Sequence, residues 1–270
     1  MKGIREFLGE VIGTFLMVFF GVGAVAVTVL FGAHSGTFQV AIVWGITIAL
    51  AIYATRNLSN AHFNSAVSLA MVISGRMPLS KLPLYVAGQL VGALAAAAAI
   101  VFLLGDSIAL ALSEAGGFDA PSAIKSVLIE TYPNTAHAVV SMPVAFAAEA
   151  LGVFFLVTLI FALTEGANIG RPDSGTAPLF IGLVVTVIIC FVGPLTDAGL
   201  NPARDLGPRV IGALMGWGAT AFSWDILAVY VAGPLVGATL AALALVFVIE
   251  PLTASKKGVA TGAATKEIGE

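Results

Sequence analysis

Charge is what this chain has least of: 10% of its 270 residues are Asp, Glu, Lys or Arg, against roughly 25% in an ordinary soluble domain. Such a chain has too little polar surface to cover itself in water, so a bilayer is the solvent it fits. Twelve Lys and Arg against fifteen Asp and Glu give a net charge of -3. The basic residues are scattered rather than gathered in a stripe, which excludes the row of phosphate contacts that nucleic-acid binding needs. One cysteine excludes an internal disulfide, a paired-cysteine redox motif and a thiolate metal cluster. Cys190 sits in an apolar run and is expected to be a buried small hydrophobe. The three histidines, His34, His62 and His137, have no companion ligands in sequence, so no metal site is expected. A phosphate-cradling glycine loop and a catalytic cluster are also missing, so the reading is not an enzyme and needs no cofactor.

What is present is apolar length. Hydrophobic residues make up 59% of the chain and the mean hydropathy is +1.03. Continuous apolar segments run over 7–30, 37–55, 83–104, 142–164, 177–195 and 227–249. As helices rising about 1.5 Å per residue, each covers the roughly 30 Å of a hydrocarbon core. Barrel strands would alternate in polarity, which these runs do not. Lys2 and Arg5 precede the first run in the manner of a signal peptide, but the run exceeds the usual ~7–15 residues and five more follow, so a retained first span is expected. Small residues, as in AGQLVGALAAAAA, allow helices to approach closely.

Two apolar stretches, 62–74 (HFNSAVSLAMVIS) and 201–214 (NPARDLGPRVIGAL), are too short to cross. Taken singly, each reads as a surface loop or an interfacial helix. They gain meaning from an internal repeat of about 140 residues. Gly45 precedes Asn64 by 19 residues, as Gly182 precedes Asn201. Glu10 and Gly13 match Glu149 and Gly152, and VAGQLVGA at 86–93 recurs as VAGPLVGA at 231–238. Each repeat carries three spans, an odd number, so the second enters the membrane inverted. The expected fold is therefore all-α: six transmembrane helices plus two re-entrant half-helices. The first repeat is 1–135 with half-helix 64–74, the second 136–251 with half-helix 202–214, and 252–270 is a flexible cytoplasmic tail. Lys2, Arg5, Arg56, Arg76, Lys81, Arg171, Lys256, Lys257 and Lys266 fall on the side of the termini, and the opposite long connection holds only Lys125. The positive-inside tendency places both termini in the cytoplasm of a multi-pass protein.

Inversion lets the half-helices dip from opposite faces and meet near the midplane, where a broken helix is tolerated only beside a cavity or packed protein. Asn64 and Asn201 fit as their N-terminal residues, with side-chain oxygens accepting first-turn N–H groups and NH2 groups left as donors to a cavity. Two positive helix ends at one point repel cations and disfavour proton hopping. Arg204, less than one turn into the second half-helix, needs a wet, hydrogen-bonded setting and is expected to face solute hydroxyls. Asp205 and Arg209 read as a local structural pair. Glu10 and Glu149 read as buried acceptors that tie the half-helix loops to the bundle.

These residues resemble the major intrinsic protein family, the aquaporins and glycerol facilitators, and most of all its glycerol-facilitator branch. The resemblance runs from Glu10 to about Pro251 and rests on GPLTDAGLNPARDLGP around Asn201 and on SNAHFNSAV around Asn64. It implies a pore centre of Asn64, Ser65 and Ala66 with Asn201, Pro202 and Ala203. Ser65 stands where the family motif has proline. It implies a selectivity filter of Trp44, Ile189, Ala198 and Arg204. Trp44 is then an apolar wall opposite the arginine rather than an interfacial anchor. Glycerol channels of the family often carry glycine at the position of Ile189 and an aromatic at that of Ala198, so the bulk here is redistributed. His62 is expected to hold loop geometry or lend a carbonyl to the pore, and Asn60 and Asp197 to polarise the vestibules or serve the loops. The resemblance also implies a homotetramer in membrane lipid, with one pore per subunit.

The expected function is a passive channel in the inner or plasma membrane for glycerol or a similar uncharged solute, with water as co-permeant. The rivals are a channel of the same fold for a small organic acid or metalloid hydroxide, a secondary transporter with a midplane site, and a purely structural membrane protein.

Overall fold

The computed structural model describes residues 2–115, 127–129, 131–132, 139–166, 168–217 and 221–253. Lys125, His137, the boundary between the repeats at 135–136 and residues 254–270 of the expected tail lie outside the described residues. The described residues are all-helical, with no strand among them, and six helices are long and apolar enough to cross a membrane.

The helices are α1 (Lys2–Phe31), α2 (Thr37–Thr55), α3 (Ser65–Ile73), α4 (Leu82–Glu114), α5 (Met142–Thr164), α6 (Ala177–Thr196), α7 (Pro202–Gly212) and α8 (Trp224–Thr253). The short helices α3 and α7 are the two expected half-helices, and the other six are the spans. Three spans outrun the sequence expectation. α1 begins at Lys2, α4 continues to Glu114 through GDSIALALSE, and α8 covers Trp224–Thr253. Polar residues such as Asp106 and Ser107 end an apolar run without breaking a helix. Within α8, a π-helical turn at Ala228–Ala232 precedes Pro234. There the proline ring and its missing N–H disturb the normal bonding to the turn before it.

The packing has a two-fold internal pattern. α1 packs against α2 and α4, and α5 likewise against α6 and α8. Each half-helix crosses over: α3 lies on α8, and α7 lies on α4. The halves are joined through α2 and α6, whose closest approach is Gly45 against Gly182. A Cβ on either glycine would overlap the carbonyl of the other. On α6 the buried stripe runs through Gly182, Val185, Ile189, Val192 and Thr196, at helical spacing. Cys190 falls about 100° off that stripe and is exposed on the outer face. The expectation of a buried cysteine is thereby corrected: an all-apolar helix gives no contrast from which to tell its inner from its outer side.

Candidate functional site

The half-helices start alike. The Asn64 side-chain oxygen accepts from the Ala66 and Val67 amides at 2.9 and 3.3 Å. That of Asn201 accepts from Ala203 and Arg204 at 3.1 and 3.3 Å. Both asparagines are N-caps in extended backbone, which satisfies donors that a helix start otherwise leaves orphaned. Pro202 opens α7 and Ser65 opens α3. Ala66 and Ala203, one residue further on, are wholly buried.

The two caps are locked together. Asn64 Nδ2 donates to the Leu200 carbonyl at 2.9 Å, and Asn201 Nδ2 donates to the Phe63 carbonyl at 2.7 Å. The sequence expectation left the whole NH2 of each asparagine for a cavity. The structure commits one N–H of each to the opposite loop, and the second is the donor that remains.

The loops leading to the caps are shaped by repeated left-handed backbone. Ala61 and Phe63 have φ of 54° and 52°, and Asp197, Ala198 and Leu200 have φ of 63°, 55° and 55°. Each such non-glycine residue costs about 1–3 kcal/mol, and buried carboxylates offset that cost. Glu10 accepts from the His62 and Phe63 amides at 3.1 and 2.8 Å, from Ser59 Oγ at 2.7 Å and from Gln89 Nε2 at 2.8 Å. Glu149 accepts from the Gly199 and Leu200 amides at 2.9 and 2.6 Å and from Thr196 Oγ1 at 2.6 Å. Both carboxylates are wholly buried, each against the loop that leads to one asparagine. His62 holds loop geometry, with its amide on Glu10 and its ring Nδ1 3.1 Å from Ser68 Oγ.

Sequence reasoning missed four members of these networks: Ser59, Ser68, Thr196 and Gln89. Gln89 had a signal, since it is the single mismatch between VAGQLVGA and VAGPLVGA. The others are small hydroxyl residues with no marked spacing.

A cavity of about 370 Å³ reaches this centre, lined by the loop from Asn60 to Asn64, by the apolar side chains of Met17, Ile48, Ile160 and Val185, and by Arg56, Arg76 and Arg171. Arg56 donates to the Ser174 carbonyl at 2.6 Å and Tyr53 to that of Gly175 at 2.7 Å, tying the α5–α6 loop to α2. In that loop the Thr176 hydroxyl and the Gly175 and Thr176 amides donate to Asp173, holding its carboxyl below the ordinary range. Arg76 pairs with Glu165 and Glu250 and lies over the Phe161 ring at 4.9 Å.

Trp44, Ile189, Ala198 and Arg204, none of which lines that cavity, are all under one-tenth exposed. The Arg204 guanidinium sits over the Trp44 ring at 4.6 Å, a cation–π contact. Gly21 makes room for that ring, which a Cβ there would overlap. One turn apart on α7, Asp205 and Arg209 form the expected local pair, bidentate and buried, with both N–O distances 2.7 Å. Arg209 also stacks on Tyr230 at 5.0 Å, and the Tyr230 hydroxyl donates to the Thr196 carbonyl at 2.8 Å. Asp197 accepts from the Thr131 amide at 3.4 Å, and the Asn60 amide donates to Tyr85 Oη at 3.2 Å, both of them loop contacts.

This architecture matches the family model described as "Major intrinsic protein" over residues 1–245. The chain belongs to the major intrinsic protein family. It is 37% identical over 239 residues to a glycerol uptake facilitator protein of Pseudomonas aeruginosa, which covers 87% of this chain and 85% of the relative. It is 35% identical over 249 residues to mouse Aquaporin-9, at 91% and 83% coverage. The X-ray structure of the aquaglyceroporin from Plasmodium falciparum superposes with a TM-score of 0.80 at 27% identity, covering 93% of this chain and 98% of that one. As a major intrinsic protein, the chain keeps the motif asparagine in both half-helices and the motif proline in the second only.

Proposed function

We propose that this chain is a passive channel for glycerol or similarly small uncharged polar solutes, with water as co-permeant. The observation that carries the reading is the cross-bonded pair Asn64 and Asn201 at the meeting of two half-helix N-termini, with Asn64 lining a cavity of mixed polar and apolar residues. A polyol slides its carbon skeleton along Ile48, Ile160 and Val185 while its hydroxyls exchange hydrogen bonds with the loop and the remaining amide N–H groups. The positive ends of α3 and α7 point at the narrowest desolvated region and raise the energy of cations and of a protonated water file. Trp44, Ile189, Ala198 and Arg204 form the outer filter in this reading, with Arg204 as hydroxyl donor and second cation barrier. Transport follows the gradient, and no covalent chemistry takes place.

The repeats are 1–135 and 136–251, and the chain sits in an inner or plasma membrane with both termini cytoplasmic. The subunit assembles as a homotetramer in lipid. The outward apolar groove between α5 and α6, where Phe155, Phe180 and Phe191 stand, is a face available for that contact. Ile189 and Ala198 also support a second reading within the same fold, a channel for a small organic acid or metalloid hydroxide, because besides Trp44 the filter carries its bulk at Ile189 on α6 and only a methyl group at position 198.

Stopped-flow light scattering on proteoliposomes tests these readings, using water, glycerol, urea, longer polyols and lactate at two pH values. Glycerol flux well above that of empty vesicles is expected. Ala198→Phe should slow longer polyols more than water. Solute-tight vesicles would refute the channel.

A further inference from the structure

The geometry points to Ser65 and Gln89 as a positioning pair that sets Asn64 at the pore centre, achieving by hydrogen bonds what Pro202 achieves covalently in the residue after Asn201. This rests on the channel reading above and deepens it.

The half-helices differ at their first residue. Pro202 fixes its own φ near about −65° and has no N–H to satisfy. Ser65 has neither property, yet it begins α3 in the same way. Its hydroxyl donates to Gln89 Oε1 at 3.0 Å, into the bundle. Gln89 is wholly buried on α4, and its Nε2 donates to Glu10 Oε2 at 2.8 Å and Ser68 Oγ at 3.0 Å. A buried carboxylate only accepts, so Nε2 must face Glu10, and Oε1 is left to receive Ser65.

The result is a bracket around Asn64. Gln89 holds Ser65 directly on one side and, through Glu10, the amides of His62 and Phe63 on the other. Ser68 pins the next turn of the same helix to the same amide. In the second half, the position matching Gln89 is Pro234, which has no side-chain donor, and among the described residues Glu149 accepts from Thr196 and its two loop amides. The two halves differ at both positions: serine and glutamine in the first, proline and proline in the second.

The test measures glycerol and water permeability of proteoliposomes per mole of folded protein. Ser65→Ala should lower the glycerol-to-water permeability ratio by about threefold to tenfold, the effect of one lost hydrogen bond. Ser65→Thr, which keeps the hydroxyl, should return most of it. Gln89→Met should lower the ratio at least as far, and the Ser65→Ala/Gln89→Met double variant should be no worse than Gln89→Met alone, because both remove one pathway. If Gln89→Met does not fold, the Ser65→Ala and Ser65→Thr pair still decides. A Ser65→Ala channel that melts lower but keeps the wild-type ratio overturns the inference, as does a double variant equal to the product of the singles. Wild-type vesicles that pass no solute overturn the channel reading itself, whereas a conducting wild type with an unchanged Ser65→Ala ratio overturns this inference alone.

Discussion

Replacing Glu149 isolates the cost of building the second pore loop. The carboxylate accepts from Gly199, Leu200 and Thr196 in a wholly buried setting. In Glu149→Leu, the Thr196 hydroxyl can turn to the Val192 carbonyl, 3.5 Å away, but the two amides lose the hydrogen bonds they make among the described residues. Each buried donor left unsatisfied costs about 1–3 kcal/mol, so the change should destabilise by about 2–6 kcal/mol. In Glu149→Gln, the amide oxygen can serve Thr196 and Gly199 while its NH2 confronts the Leu200 amide. One backbone donor, the Leu200 amide, is then orphaned, against two in Glu149→Leu, at about 1–3 kcal/mol. The two variants should therefore rank wild type, Gln, Leu in unfolding by denaturing detergent, followed by circular dichroism on purified protein. Glycerol flux per folded molecule should fall in the same order, because the left-handed run from Asp197 to Leu200 loses its anchor. Equal unfolding midpoints for wild type and Glu149→Leu, or a glutamine variant weaker than the leucine one, would refute the reasoning.

Three further outcomes follow from the same geometry. Asn201→Asp places a carboxylate oxygen where Nδ2 now donates to the Phe63 carbonyl at 2.7 Å, so solute flux in vesicles should drop by at least tenfold, as expected for about 1.4 kcal/mol or more at the barrier. Arg204→Ala removes the guanidinium stacked on Trp44; a pH-sensitive dye inside vesicles should then report a proton or cation leak absent from wild type. Gly182→Val would drive side-chain atoms into the Gly45 backbone, and size-exclusion chromatography should show loss of folded protein, whereas Gly23→Val, which meets no neighbour there, should elute normally.

The sequence makes the span count, the two short helices and their pairing legible, because apolar length and matched landmarks such as Glu10 with Glu149 are written in linear order. It also exposes Asn64 and Asn201 as caps, since an asparagine before a helical run has few other uses. What it hides is whatever depends on direction around a helix or on contacts far apart in the chain. Cys190 faces outward because it sits off the α6 stripe, which a uniformly apolar helix cannot reveal. The Arg204–Trp44 stack joins residues 160 positions apart, made possible by Gly21. The amide commitments of the asparagines depend on Phe63 and Leu200 carbonyls turned by left-handed backbone, for which those two residue types give no warning.

The most direct test of a passive pore between the two half-helices is glycerol flux into proteoliposomes, measured over a wide concentration range with and without imposed sodium and proton gradients. The pore described here predicts a rate proportional to the glycerol gradient, unaffected by either ion gradient and without ion current. Saturable uptake that follows an ion gradient would contradict it and would make the site between Asn64 and Asn201 that of a transporter.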